Sequence, residues 1–89
     1  MKGMFVGNLA FDATESWLRS AFERYGAVDR VRIVTDRITG QPRGFGFVEM
    51  TSDEEGSRAM VELHGRHLYG RKLTVNEARA EVMRGLRGN

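Results

Sequence analysis

The sequence predicts an α+β fold of the split β-α-β kind: a β-α-β-β-α-β order giving a four-stranded antiparallel sheet with two helices on one face. Three observations carry that expectation. Apolar residues alternate with period two in separate short runs and recur at helical spacing in two others. Capping signals, Thr14 and Ser52, open both helical runs. The runs come in the order strand, helix, strand, strand, helix, strand, and right-handed crossovers then put both helices on the same side.

Met4-Phe5-Val6-Gly7-Asn8-Leu9 is the first strand, with Met4 and Val6 on one side and Phe5 on the other. Thr14 caps a helix expected from Glu15 to Tyr25, and Ala13 and Leu18 are spaced to staple its first turn. Leu18, Ala21, Phe22 and Tyr25 form its buried stripe, Trp17 packs beside that stripe, and Gly26 ends the helix. Val28 to Thr35 is the second strand, where Val31 and Ile33 alternate with Arg32 and Val34. Asp36 to Pro42 is a polar loop, long enough to be mobile.

The third strand reads RGFGFVEM. Its period of two sends Arg43, Phe45, Phe47 and Glu49 to one face and Gly44, Gly46, Val48 and Met50 to the other. Ser52 and Glu55 make a capping box for a second helix over Asp53 to Leu63, with Ala59, Met60 and Leu63 inward. A short extended piece at His67-Leu68-Tyr69 turns at Gly70. Lys72 to Asn76 is then the last strand, with Leu73 and Val75 inward and Lys72, Thr74 and Asn76 outward. Residues 2–78 form one domain, and residues 79–89 a basic tail expected to be largely disordered.

Composition narrows the function classes. The 89 residues suffice for one modest core, and the absence of cysteine excludes disulfides and thiolate metal ligands. The apolar runs fall short of a membrane span, and the opening MKGMFVGNLAF is too short for a signal peptide, so a cytoplasmic location is expected. A net charge of +2 says little by itself. Its distribution says more: Arg30, Arg32, Arg37 and Arg43 gather mid-chain, and Arg79, Arg84 and Arg87 follow near the end. These can build one basic face or an ordinary solvated surface.

No enzyme is expected. His64 and His67 lack the carboxylates or cysteines of a metal set, and GFGF lies within a strand without the Gly-x-Gly-x-x-Gly spacing of a dinucleotide site. No nucleophile and base pair stands out, and neither a metal nor a cofactor is expected.

With the first and third strands central, Phe5, Phe45 and Phe47 converge on the face that the helices leave bare. Each ring carries about 150–250 Å² of surface that is costly to leave wet. A folded-back tail or a dimer through the sheet could cover them, or a ligand with flat apolar faces, which is what unpaired nucleic-acid bases are. Arg43, at the edge of the same face, suits a backbone phosphate.

MFVGNL and RGFGFVEM, in that order, resemble the two signature motifs of the RNA recognition motif family. The longer one matches the family pattern at every position but the last, where inward-facing Met50 replaces an aromatic residue. The chain is most similar to small bacterial RNA-binding proteins and to the domain of glycine-rich RNA-binding proteins. The resemblance implies a ferredoxin-like fold that binds single-stranded RNA: Phe5 and Phe45 stack bases, Phe47 packs on ribose, Arg43 holds phosphate, and Asn76 and Ala78 read base edges. Lys2, Arg32, Lys72 and Arg79, placed near the rim, are expected to add contacts. Single-stranded DNA is a second possible ligand, and the domain is expected to act as a monomer. The rival reading is a protein-interaction module that uses the sheet or the helical face near Trp17.

Overall fold

A computed structural model describes the backbone of residues 1–87 and the side chains of all of these except 80, 86 and 87. Its elements are β1 (Lys2–Gly7), α1 (Glu15–Glu23), β2 (Val28–Thr35), β3 (Pro42–Met50), α2 (Asp53–Leu63), β4 (His67–Leu68), β5 (Arg71–Lys72), β6 (Thr74–Glu77) and α3 (Ala80–Arg87). Strands β2, β3, β1 and β6 pair in that order into a four-stranded antiparallel sheet, with β3 and β1 central as expected. The short β4 and β5 form a separate hairpin.

Both predicted caps are in place. Thr14 Oγ1 accepts a hydrogen bond from the Trp17 amide at 3.1 Å, and Ser52 Oγ accepts one from the Glu55 amide at 3.2 Å, each satisfying a helix donor that has no partner in its own turn. Helix α2 spans the predicted residues, while α1 ends at Glu23, where the chain tightens and the Tyr25 amide reaches back to the Phe22 carbonyl. Leu18 and Phe22 of α1 and Ala59 and Leu63 of α2 pack on Met4, Val6, Val48, Met50 and Val75 of the sheet, so the alternating strands and the helical stripes close one core.

Side chains occupy both edges of the sheet. On β2, Glu15 Oε2 accepts from the Ile33 amide at 3.0 Å and Arg19 Nη1 donates to the Val28 carbonyl at 2.9 Å. On β6, the Val75 amide donates to His64 Nδ1 at 3.0 Å, which gives this histidine a structural role. Backbone groups that would otherwise invite another strand are thereby paired.

Two expectations are corrected. The β2–β3 loop is tied rather than loose: the Asp36 carboxylate accepts from the Ile38 and Thr39 amides at 2.8 and 2.9 Å, and the Asp36 amide donates to the Gln41 carbonyl at 2.7 Å. The basic segment after Ala78, expected to be largely disordered, instead forms α3, which runs from Ala80 to Arg87; residues 88 and 89 lie outside the described residues. Helix α3 does not join the helical layer. Met83 is 3% exposed, and a β-carbon on Gly3 would collide with its side chain. Gly3 has the opposite parity to Met4 in β1, so α3 sits on the face that α1 and α2 leave open.

Candidate nucleic-acid interface

Strand register sets out the open face in rows. Arg32, Phe47, Phe5 and Asn76 stand directly opposite one another across β2, β3, β1 and β6, one row running the full width of the sheet. Toward one end the next row is Arg30, Glu49 and Gly3, beneath Met83 of α3. Toward the other end lie Phe45 and the opposed pair Gly7 and Thr74.

Phe5 joins the three phenylalanines into one cluster. Its ring centroid lies 5.6 Å from those of both Phe45 and Phe47, at 34° and 67° respectively, and Phe45 meets Phe47 edge-on at 6.3 Å. Aromatic pairs of this geometry each add about 0.5–1.5 kcal/mol beyond area burial, so the rings fix one another's orientation. All are half-buried, their remaining surface facing solvent. The Arg43 guanidinium carbon lies 5.9 Å from the Phe45 ring centroid, a cation over an aromatic face. Gly7 keeps the platform low, since a β-carbon there would stand 2.9 Å from the Phe5 ring.

The expected site residues divide by position. Phe5, Phe45, Phe47, Arg43, Arg32 and Asn76 come together on the open face, and Arg32, Arg43 and Asn76 are solvent-exposed. Ala78 lies at the end of that face, its amide donating to the Gly3 carbonyl at 2.9 Å, and Arg79 follows, exposed at the start of the α3 turn. Lys2 is not on this face. It shares the parity of Met4 and Val6, its stem passes 2.5 Å from where a Gly56 β-carbon would sit, and its ammonium pairs with Glu77 at 3.2 Å. Lys72 is displaced as well. The strand predicted from Lys72 to Asn76 breaks at Leu73, leaving Lys72 in the β4–β5 hairpin with its side chain running toward Gly65. Glu49, expected as an exposed flanking charge, is 1% exposed.

Residues not singled out in the sequence, among them Phe11 and Arg71, lie beside the rings. A cleft of about 400 Å³ opens beside Phe5 and Phe45, and Asn8, Phe11, Arg43 and Arg71 are among the residues that line it. Phe11 is 68% exposed on the β1–α1 connection. Arg71 donates to the Asn8 side-chain oxygen at 2.6 Å and to the Asn8 carbonyl at 3.3 Å. An aromatic residue in a polar connection and an arginine directly after Gly70 were the available signals, but neither falls on a periodic run. Away from this face, the Trp17 ring packs on the Tyr69 ring at 4.7 Å, joining α1 to the β4–β5 turn. Among the described residues no cluster of histidine, aspartate and glutamate could hold a metal ion, and no helix is long and apolar enough to cross a membrane.

Comparison with known proteins agrees with this geometry. The family model described as RNA recognition motif matches residues 4–74. The putative RNA-binding protein RbpA of Nostoc sp. is 48% identical over 85 residues, covering 96% of this chain and 83% of that protein. Glycine-rich RNA-binding protein 3, mitochondrial, of Arabidopsis thaliana is 48% identical over 75 residues, covering 84% of this chain and 24% of that longer protein. Among solved structures, the crystal structure of RNA binding protein PG1 superposes with a TM-score of 0.86 at 45% identity, covering 88% of this chain and 94% of that one.

Proposed function

The chain belongs to the RNA recognition motif family, and from that premise we propose that its open sheet face binds single-stranded RNA. It is a binding module, not an enzyme. The row Arg32, Phe47, Phe5, Asn76, with Phe45 beside it, carries the reading: apolar rings flanked by a cation at one end and an amide at the other. Bases of an unpaired strand stack on Phe5 and Phe45, each worth about 1–3 kcal/mol, while Phe47 packs on ribose. Arg43 and Arg32 neutralise phosphates, and Asn76, with the backbone near Ala78, offers donors and acceptors to base edges. Exposed Arg79 can add a phosphate contact, whereas Lys2 is paired with Glu77 and Lys72 lies in the β4–β5 hairpin, away from the platform.

Stacking alone does not sense the 2′-hydroxyl, so single-stranded DNA binds by the same means. The satisfied edges of β2 and β6 support action as a monomer, and we propose the cytoplasm as its place of action. The relatives compared above are named as RNA-binding proteins, which supports the same choice of ligand.

Titrating oligouridine into the ¹⁵N-labelled chain tests the reading. Amide shifts should concentrate on β1, β3 and the facing residues of β2 and β6. Shifts confined to α1, α2 and the Trp17 region would instead place the oligonucleotide on the helical face and overturn the sheet as the binding surface.

A further inference from the structure

Helix α3 lies on the ring side of the sheet, and little holds it there. Of residues 81–85 only Met83 is buried, while Glu81, Val82, Arg84 and Gly85 are exposed. Its eight residues fall below the length of about 12–15 that a free helix needs in water. Gly85 lies inside it, where glycine is a poor helix former. The chain just before α3 is anchored, because the Ala78 amide donates to the Gly3 carbonyl at 2.9 Å, so the helix can swing as a unit about Arg79. Docked, α3 covers the row beside the rings. Glu49 shares the face of the half-buried Phe45 and Phe47 yet is 1% exposed, and Gly3, directly opposite Glu49, leaves the space that the Met83 side chain fills.

We propose that α3 is a lid that competes with the bound strand. Docked, it ends the platform at the row of Phe47 and Phe5, and a strand long enough to run on toward Gly3 displaces it. The inference rests on the single-strand-binding reading and deepens it with a limit on affinity built into the chain. The strip above Gly3 and Glu49 holds Met83 or a nucleotide but not both, since even a β-carbon on Gly3 has no room beside the docked side chain. Because one described side chain anchors the helix, its closed and open states lie close in free energy, and a ligand that binds only the open state shifts the balance. Apparent affinity for a long strand is then the intrinsic affinity reduced by the fraction of molecules with the lid open.

Three substitutions that leave the charge unchanged move the lid in opposite directions. Gly85→Ala strengthens the helix, since a β-carbon there meets nothing within 4 Å, whereas Gly3→Ala removes the seat and Met83→Ala the anchor. Thermal melting confirms that each variant is folded. A labelled, randomised single-stranded RNA of eight nucleotides should bind Gly85→Ala about two- to fivefold more weakly than the wild type, and Gly3→Ala and Met83→Ala about three- to tenfold more tightly. A three-nucleotide RNA, short enough to stay on the rings, should bind all four proteins alike. With methionine methyl groups labelled with ¹³C, saturating eight-nucleotide RNA should move the wild-type Met83 signal away from its docked position toward the one it has in free Gly3→Ala.

A Met83 signal that keeps its docked position at saturation would overturn the lid, as would equal eight-nucleotide affinities across the variants. Weaker binding by Gly3→Ala and Met83→Ala would overturn it too, by making α3 a wall of the binding site. Phe45→Ala/Phe47→Ala separates this from the parent reading. If both RNAs bind that variant as well as the wild type, the platform itself fails and the lid fails with it. If both bind it weakly while the three lid variants match the wild type, the lid alone fails.

Discussion

A β-carbon at position 46 would stand 2.5 Å from the Arg32 carbonyl oxygen and 3.2 Å from Ile33 Cα, both main-chain atoms of β2. Backbone cannot swing aside as a side chain does, so Gly46→Ala should lower stability by about 1–3 kcal/mol in a denaturant titration. Asp36 behaves differently. The Thr39 and Ile38 amides, helped by the nearby charge of Arg43, hold its carboxyl below the ordinary aspartate value. A lowered folded-state value means that the charged form supports the turn above the ordinary value, and that this support disappears as pH falls through the lowered one. In an NMR titration the Ile38 and Thr39 amide signals should therefore move together at a pH below the ordinary aspartate midpoint. At this scale the period of two made the face of Phe5, Phe45, Phe47 and Arg43 legible. Lys72 was misplaced because alternation was carried across the break at Leu73, where the chain instead bonds to Arg66 and Gly65. Lys2 shares the parity of Met4 and Val6, which was readable, but its length and charge suggested a rim.

Among the elements, the edge strands show how the helices serve the sheet beyond covering it. Glu15→Ala removes the acceptor for the Ile33 amide at the β2 edge and should cost about 0.5–1.5 kcal/mol. Hydrogen exchange at Ile33 should quicken, while Glu15→Gln, which keeps an oxygen there, should preserve most of the protection. Helix α3 depends on a different contact. Gly3→Ala would drive a methyl into Met83, so the helix should leave the sheet, seen as lost helical signal and new solvent access at the Glu49 end, with the four-stranded sheet intact. Caps and periodicity revealed α1 and α2 because each helix carries its own start signal and stripe. Helix α3 was hidden for a physical reason. An eight-residue segment is too short to be helical alone, and what holds it is Met83 docking on a residue at the other end of the chain.

For the molecule as a whole, the antiparallel order that makes β1 and β3 central also gathers the rings, since both signature stretches must lie side by side. The sheet is then two-sided in function: the helical side stabilises, and the ring side is left available. Arg32, Arg43 and Arg71 stand on or beside the open face, while Lys2 pairs with Glu77. Binding should accordingly combine a stacking part that is insensitive to salt with a phosphate part that weakens as salt rises. The most direct test is fluorescence anisotropy of a labelled, randomised single-stranded RNA, titrated at two salt concentrations with the wild-type chain and with Phe45→Ala/Phe47→Ala. Wild-type binding that weakens with salt, and that falls at least tenfold in a variant still folded by circular dichroism, is the predicted result. Equal binding by the two proteins, or none by either, would contradict the account.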